Sequence, residues 1–229
     1  MRSQRKIRPV QIEKIATAAP GSLIYKSGET TVLCTASYTT DLPGWLAGHR
    51  EHRGWVTAEY NMLPSSTFPR KKRSQDSRSI EIQRLVGRSL RAAVNTALLN
   101  QISVFCDCEV IKADGGTRTA AINGASIALK ATLDSLLNQG LLKESPFVGH
   151  VVAVSVGILR GQPVLDLDYE MDSQADVDLN VVFDHSLNFV EIQGTGERTT
   201  FSPSQLQAML DLAREGATEI LQIQNSVTG

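Results

Sequence analysis

The sequence lacks the features that define several classes of protein. Its apolar runs stay well short of the ~20 residues of a membrane span, and the stretch "MRSQRKIRPVQI" has no apolar segment of the secretory type. There are only three cysteines and no Cys-x-x-Cys pair, which argues against a disulfide framework or a zinc site. These absences predict a soluble, cytoplasmic protein that does not associate with a membrane.

Common cofactor and nucleophile motifs are missing as well. Neither Walker spacing nor Gly-x-Gly-x-x-Gly occurs, so the sequence predicts no cradle for a nucleoside triphosphate or a dinucleotide. No nucleophile elbow is present, and no metal-binding spacing joins the four histidines His49, His52, His150 and His185. Cys106 and Cys108 fall on the apolar phase of an alternating segment, which predicts buried, reduced thiols.

The net charge of −1 hides an asymmetry between the two parts of the chain. Residues 1–91 contain 16 Lys/Arg against 7 Asp/Glu, a net of +9, whereas residues 92–229 contain 7 against 17, a net of −10. This difference in net charge suits a protein that binds an anion through one region and cations through the other, for example nucleic acid with a divalent metal. Alternatively, the two regions neutralise each other across an internal or subunit interface.

The order of apolar patterns predicts an α+β fold in a single domain over residues 1–229. Strands are predicted by alternation at 23–26, 31–38, 54–63, 102–110, 151–159, 164–169, 177–183 and 189–193. Helical spacing predicts one helix from near Ser79 through Val94, one over 117–139 that Gly140 caps, and one from the capping box at Ser202 to about Gln222. Strands and helices occur in blocks, which is typical of α+β proteins rather than of βαβ repeats.

The segment "ADGGTRTAAINGA", residues 113–125, joins a predicted strand to a predicted helix. The N-terminus of a helix has unpaired N–H groups and partial positive charge, and Gly115 and Gly116 would let a ligand approach the backbone closely. Thr117 adds a hydroxyl donor, and Arg118 adds a forked pair of donors that suits phosphate oxygens. The segment therefore predicts a phosphate site, although two glycines before a helix are also common in simple turns.

A run of carboxylates follows in "VLDLDYEMDSQADVDLNVV". Asp166, Asp168 and Glu170 alternate with apolar residues, which predicts the solvated face of a strand. Asp172 and Asp178 bracket a short turn at the mouth of consecutive strands, where their side chains can converge. Converging carboxylates without cysteine or histidine favour Mg²⁺ or Mn²⁺, or a raised carboxyl pKa that suits proton transfer.

Residues 64–79 have little apolar character and predict an exposed, mobile loop. This loop carries a run of four basic residues that suits either solubility or single-stranded nucleic acid: Arg70, Lys71, Lys72 and Arg73. The exposed aromatic Phe68 precedes the run. Arg78 stands where the loop meets the first helix, and it could share an anion with Arg118.

Taken together, the ordered blocks "GWVTAEYNMLP", "EIQRLVGRSLRAAV", "ADGGTRTAAINGA", "LDLDYEMDSQADVDLNVV" and "EIQGTGE" resemble the ribonuclease PH family of bacterial phosphorolytic 3′-to-5′ exoribonucleases. The resemblance spans nearly the whole chain. It implies a ribonuclease PH-like domain, similar to domain 2 of ribosomal protein S5, with mixed β-sheets packed against helices. It also implies a hexamer built from three dimers, and reversible, phosphate-dependent trimming of RNA 3′ ends, including those of tRNA precursors, with release of nucleoside 5′-diphosphates.

The resemblance also implies roles for individual residues. The phosphate ligands would be Arg78, Gly116, Thr117 and Arg118, and Arg70 and Arg73 would guide the RNA 3′ end. Asp172 and Asp178 would form the reaction centre, with Asp178 as the ligand of Mg²⁺ or Mn²⁺. Two departures fall on the RNA-entry side: Ser65 stands where an arginine usually follows "MLP", and the segment 73–78 is shorter than in the family.

Two other functions remain open at the level of sequence. A non-catalytic RNA-binding subunit of a ring would need the basic loop but no reaction centre. A metal-dependent hydrolytic nuclease would need only the carboxylates, and it would release nucleoside monophosphates without using phosphate.

Overall fold

The computed structural model describes residues 5–46, 53–73 and 76–228, and within them the chain forms two β-sheets. The strands of the first sheet are β1 (Val10–Lys14), β2 (Gly21–Ser27), β3 (Thr30–Thr39), β4 (Trp55–Met62) and β5 (Ser103–Lys112). Their order is β1-β2-β3-β5-β4, and all neighbours are antiparallel except β4 and β5. The second sheet is antiparallel throughout, in the order β7-β6-β8-β9, and consists of β6 (Val152–Leu159), β7 (Gln162–Leu165), β8 (Val177–Phe183) and β9 (Phe189–Gly196).

In the part of the chain that the structure describes, four α-helices cover the sheets. They are α1 (Ser77–Arg91), α2 (Thr117–Asn138), α3 (Tyr169–Gln174) and α4 (Pro203–Thr228). Helix α1 packs on β4, α4 packs on the second sheet, and α2 contacts strands of both sheets. The predicted α+β class with helices packed against β-sheets is thereby confirmed, although only the first sheet is mixed.

Helix α2 is buried along most of its length because it lies between the two sheets. Small residues permit this packing: a Cβ added to Gly124 would lie 2.5 Å from Cys34 Sγ on β3. At the other sheet, Asn123 exchanges two hydrogen bonds with the Ala153 backbone, at 2.9 and 2.7 Å. The helix thus connects the sheets rigidly, and the predicted burial of Cys106 and Cys108 as free thiols is also confirmed.

The helix ends predicted from sequence are largely present. Gly140 has φ +73°, and the Leu141 N–H donates to the Leu136 carbonyl at 3.0 Å, which closes α2. Before α4, the Ser202 N–H donates to Gln205 Oε1 at 2.8 Å while the Gln205 N–H donates to Ser202 Oγ at 3.2 Å. This reciprocal pair is the expected capping box.

Three helix boundaries differ from the prediction. Helix α1 begins at Ser77, because the Asp76 side chain accepts a hydrogen bond from the Ser79 N–H at 2.7 Å. It ends at Arg91, so Val94 is not helical and instead forms an isolated β-bridge with Phe147. Helix α4 continues beyond Gln222 to Thr228.

The predicted strand at 164–169 is the main error. Strand β7 ends at Leu165, and Asp166 has a left-handed backbone with φ +53°. Asp166 is 6% exposed, so its assignment to a solvated strand face was wrong. Asp168 instead caps α3 by accepting a hydrogen bond from the Met171 N–H at 2.9 Å, and Glu170 is exposed on that helix rather than on a strand.

Two further predictions concern features that the sequence lacks, namely a metal-binding spacing of histidines and a membrane-spanning segment. His49 and His52 lie outside the described residues, whereas His150 is buried between Ser126 and Thr228, at 3.0 and 2.9 Å. Within the described ranges, no helix combines the length and the hydropathy that a bilayer crossing requires.

Candidate active site

A cleft of about 450 Å³ opens where the start of α2, the start of α1, helix α3 and strand β8 meet. The six residues that were predicted to bind phosphate or to act in catalysis line it together: Arg78, Gly116, Thr117, Arg118, Asp172 and Asp178. Two of these come from α2, and the others come from α1, α3, β8 and the loop before α2. The cleft therefore brings cationic donors and carboxylates, which are far apart in sequence, into one space.

The loop before α2 gives this cleft an anion-binding geometry. Gly115 and Gly116 both have left-handed backbones, with φ +68° and +62°, which only glycine adopts readily. No side chain caps the helix at Gly116, so its first N–H groups remain available to an anion. A Cβ on Gly115 would lie 2.6 Å from the Asp168 carbonyl carbon, so the loop packs directly against the segment that begins α3.

Hydrogen bonds fix the shape of this loop, residues 113–116, which we call the phosphate loop after the ligand that the sequence predicts for it. Arg8 Nη1 donates to the Asp114 carbonyl at 2.6 Å, and Thr30 Oγ1 donates to the Gly115 carbonyl at 2.6 Å. The Asp114 N–H in turn donates to Thr30 Oγ1 at 2.9 Å. The loop is therefore held in its conformation before any ligand binds, which reduces the ordering cost of binding.

The Arg8 side chain is itself held by a carboxylate that the sequence analysis placed in solvent. Arg8 Nη2 lies 2.7 Å from Asp166 Oδ1, Arg8 Nε donates to Asp166 Oδ2 at 3.1 Å, and the Arg8 N–H donates to the same oxygen at 2.6 Å. Both side chains are almost completely buried. The sequence analysis did not identify Arg8 as a site residue, because no local pattern signals a partner 158 residues away.

Thr117 and Arg118 are also oriented by partners that sequence analysis missed. The buried Tyr60 hydroxyl donates to Thr117 Oγ1 at 2.8 Å, and burial raises the pKa of Tyr60, so the phenol keeps its proton. Arg118 Nη1 donates to Gln193 Oε1 at 3.3 Å and lies 3.6 Å from Glu81 Oε1. The Arg118 side chain is 19% exposed, which leaves its guanidinium accessible from the cleft that it lines.

Asp172 and Asp178 converge as predicted, but from different elements. Asp178 lies on β8, whereas Asp172 lies on α3 rather than at the end of a strand. Burial and the neighbouring Asp172 charge raise the pKa of Asp178 to about 6, and Asn180 Nδ2 donates to Asp178 Oδ2 at 3.2 Å. Burial, followed by the charge of Glu197, raises the pKa of Asp172, while Arg78 and Arg118 lower it.

This pair of carboxylates fits a magnesium ion that takes its other ligands from phosphate and water. Mg²⁺ in proteins is usually held by one or two carboxylates, with water and substrate phosphates at its other positions. Within residues 5–46, 53–73 and 76–228, no group of three or more His, Cys, Asp or Glu side chains is placed to hold a metal ion. Burial is the main cause of the raised pKa of Asp178 and the Asp172 charge is the second, and a bound cation would offset both by favouring the ionised carboxylate.

The predicted basic loop contributes one of its four cations to the cleft lining. Lys71 lines the cleft and lies 3.6 Å from Asp76, whereas Arg70, Lys72 and Arg73 are exposed to solvent. The first part of the loop is ordered by its own hydrogen bonds, since the Lys71 N–H donates to the Pro64 carbonyl at 2.9 Å. Residues 74–75, which follow the basic run, lie outside the described residues.

Comparison with known families agrees with this architecture. Residues 6–133 match the model of the 3′ exoribonuclease family, domain 1, and residues 149–216 match domain 2 of the same family. The chain therefore belongs to the 3′ exoribonuclease family, and its resemblance to ribonuclease PH is confirmed at the level of the family.

Solved structures share the fold over almost the entire chain. An exosome structure from Archaeoglobus fulgidus, with RNA bound to the active site, is 24% identical, with a TM-score of 0.84 over 97% of this chain and 90% of that chain. Rice (Oryza sativa) Rrp46 is 17% identical, with a TM-score of 0.80 over 99% and 97%. An archaeal exosome core is 23% identical, with a TM-score of 0.81 over 98% and 89%. At these identities the likeness establishes the fold alone.

Proposed function

We propose that this protein is a phosphate-dependent 3′-to-5′ exoribonuclease that trims RNA 3′ ends and releases nucleoside 5′-diphosphates. The observation that carries the proposal is the convergence of an uncapped helix N-terminus, Thr117 and two arginines with a carboxylate pair in one cleft. A hydrolytic nuclease needs the carboxylates but does not require a separate site for inorganic phosphate, because its nucleophile is water. The phosphate loop is thus the feature that favours phosphorolysis over hydrolysis.

The chemistry requires two anions to approach each other. An oxygen of inorganic phosphate attacks the phosphorus of the last phosphodiester, the bond from phosphorus to the 3′ oxygen breaks, and that oxygen takes up a proton. Arg78, Arg118 and the N–H groups of α2 hold the attacking phosphate and offset the repulsion between the two anions. Because one phosphoester replaces another, the reaction is reversible, and nucleoside diphosphates can extend RNA.

The carboxylate pair serves the leaving group. Asp172 or Asp178 supplies the proton that the 3′ oxygen requires, and burial, which raises the pKa of both residues, favours the protonated form that a proton donor needs. Asp178, with Asp172 beside it, would hold Mg²⁺ or Mn²⁺. When bound, the divalent ion supplies positive charge that stabilises the developing 3′ oxyanion.

RNA is the proposed polymer, and tRNA precursor ends are the proposed substrates within that class. The similar Archaeoglobus fulgidus structure contains RNA in its active site, which supports this assignment. The exposed cations Arg70, Lys72 and Arg73 would contact the RNA backbone, and Lys71 would do so at the cleft. We further propose a homo-hexamer of three dimers, which the similarity to exosome cores supports and which the mass of the intact assembly would test.

The test is to incubate the protein with a 3′-extended RNA and Mg²⁺ at graded phosphate concentrations and to separate the released nucleotides by chromatography. Phosphorolysis predicts nucleoside diphosphates in amounts that rise with phosphate. Nucleoside monophosphates that form equally without phosphate would instead indicate a hydrolytic nuclease. RNA binding with no nucleotide release would indicate a non-catalytic ring subunit.

A further inference from the structure

Two aromatic side chains line the cleft without being packed into the protein. Phe68 is 101% exposed and Tyr169 is 68% exposed, and both belong to the cleft lining. Aromatic side chains contribute to stability chiefly by burying their large surfaces, a contribution that is largely lost for a ring left in water. Exposure of two such rings at one cleft points to an apolar, flat ligand group that would cover them.

The position of Tyr169 places its ring beside the reaction centre. It is the first residue of α3, three residues before Asp172, so the two side chains lie on the same face of the helix. A Cβ on Gly115 would lie 2.7 Å from the Tyr169 backbone nitrogen, so the phosphate loop and the start of α3 are in direct contact. A ligand held by the phosphate loop therefore lies within reach of the Tyr169 ring.

Phe68 is presented by an ordered part of the basic loop. The Ala113 N–H donates to the Ser66 carbonyl at 2.9 Å, which ties this segment to the phosphate loop. Thr67 Oγ1 donates to the Pro69 carbonyl at 3.0 Å across Phe68 itself. Because the backbone on both sides is already fixed, ligand binding at the Phe68 ring incurs little ordering cost.

We propose that Phe68 and Tyr169 form a stacking site for the nucleobases at the 3′ end of the RNA. The site rests on the proposed function, because it supplies the apolar contacts that a nucleotide needs in addition to its phosphate contacts. Every base has a flat π-face, so stacking on these rings accepts all four bases and suits an enzyme that removes nucleotides one after another. The two residues position the substrate and take no part in the chemical step.

The test compares two RNAs that differ only in whether the 3′-terminal nucleotide has a base or is abasic. Equilibrium binding is measured without phosphate, and release of nucleoside diphosphate is measured with it. The wild-type protein is expected to bind the intact end about 5- to 150-fold more tightly, the range for stacking of one base on an aromatic side chain. This preference should decline sharply in Phe68→Leu and in Tyr169→Leu while KM for phosphate stays unchanged.

Two further variants control for non-specific effects. Tyr169→Phe keeps the ring and should retain the preference for the intact end. Phe189→Leu removes a ring that is 46% exposed but does not belong to the cleft lining, and it should behave like wild type.

The outcomes separate the stacking site from the proposed function. Equal binding of intact and abasic ends by the wild type would overturn the stacking site, even if nucleoside diphosphates are released. Absence of nucleotide release with a strong preference for the intact end would instead refute phosphorolysis and leave the stacking site standing. A lower assembly mass for Phe68→Leu with an unchanged preference would show that Phe68 contacts a second copy of the chain, which also overturns the proposal.

Discussion

Arg8 and Asp166 form a buried ion pair that joins the segment before β1 to the end of β7, with 2.7 Å between Arg8 Nη2 and Asp166 Oδ1. The same guanidinium donates to the Asp114 carbonyl in the phosphate loop. Burial alone would lower the pKa of Arg8, yet the Asp166 carboxylate outweighs it and the pKa is raised. The guanidinium therefore keeps its charge while it fixes the loop on which the proposed chemistry depends.

Arg8→Met should destabilise the protein by about 3–5 kcal/mol, because it removes the guanidinium that neutralises the buried Asp166 carboxylate. Arg8→Met combined with Asp166→Asn should recover part of this loss, since neither charge is then buried. Urea unfolding followed by circular dichroism measures both effects. Arg5→Met is the matched control, because the Arg5–Glu215 pair is exposed and its loss should cost ~1 kcal/mol or less. Equal losses for Arg8→Met and Arg5→Met would contradict the role given to the buried pair.

Much of the fold could be predicted because its signals are local. Strands β2 and β3 bury alternate residues, and the capping box at Ser202 and the glycine at 140 each act within a few residues of the helix ends that they fix. The phosphate loop was predictable for the same reason, since the paired glycines and the helix that follows are contiguous. Such features depend on backbone geometry that the nearby residue types dictate.

The errors fall where distant contacts override a local pattern. Asp166 fits a strand alternation, yet its ion pair with Arg8 removes it from the strand and from solvent. The sequence around Tyr60 is typical of a strand residue in the core. Its hydroxyl reaches the site only because α2 brings Thr117 Oγ1 to 2.8 Å from it. Neither partnership leaves a trace at fixed spacing in the sequence, so neither could be predicted from it.

Gly116→Ala should impair phosphate use more than it impairs folding. A Cβ at this position would lie 2.6 Å from Arg8 Nη2, and the left-handed backbone adds a strain of about 1–2 kcal/mol. We expect KM for phosphate to rise at least ~10-fold, because the displaced loop misaligns the N–H groups of α2. Gly161→Ala is the control, since it has φ +76° with no atom within 4 Å. Gly161→Ala should lose similar stability while its KM for phosphate stays unchanged. A rise in KM in both variants would contradict a specific role of the phosphate loop in binding phosphate.

Arg118→Ala should lower the rate of phosphorolysis by about 10²–10³, by analogy with the loss of one donor from an oxyanion site. Arg118→Lys should recover only part of the rate, because an ammonium lacks the forked donors that match phosphate oxygens. Arg214→Ala removes an arginine outside the cleft lining, one that donates to the Leu187 carbonyl at 2.9 Å, and should leave the rate unchanged. If Arg118→Ala kept full activity in a phosphate titration, Arg118 could not be a phosphate ligand.

Asp178→Asn should stabilise the metal-free protein at pH 7.5. The pKa of Asp178 is raised to about 6, so the folded state binds a proton more readily than the unfolded state, and wild-type stability declines as pH rises from about 4 to about 6. The asparagine removes this penalty, which amounts to up to about 3 kcal/mol above pH 6 and vanishes below pH 4. Thermal unfolding at pH 4 and pH 7.5, in the presence of a chelator, measures the difference.

The same variant tests the proposed magnesium site. Added Mg²⁺ should raise the melting temperature of the wild type at pH 7.5 and have little effect on Asp178→Asn. Asp184→Asn, which removes a carboxylate outside the cleft lining, should respond to Mg²⁺ like the wild type. An equal response from all three proteins would place any bound cation elsewhere.

The most direct measurement follows the fate of inorganic phosphate itself. The protein is given a 3′-extended RNA, Mg²⁺ and phosphate labelled with ³²P, and the released nucleotides are separated. The account predicts that the label appears in nucleoside diphosphates, one labelled phosphorus for each nucleotide removed, and that Arg118→Ala greatly slows its appearance. Unlabelled nucleoside monophosphates as the sole products would contradict the central claim.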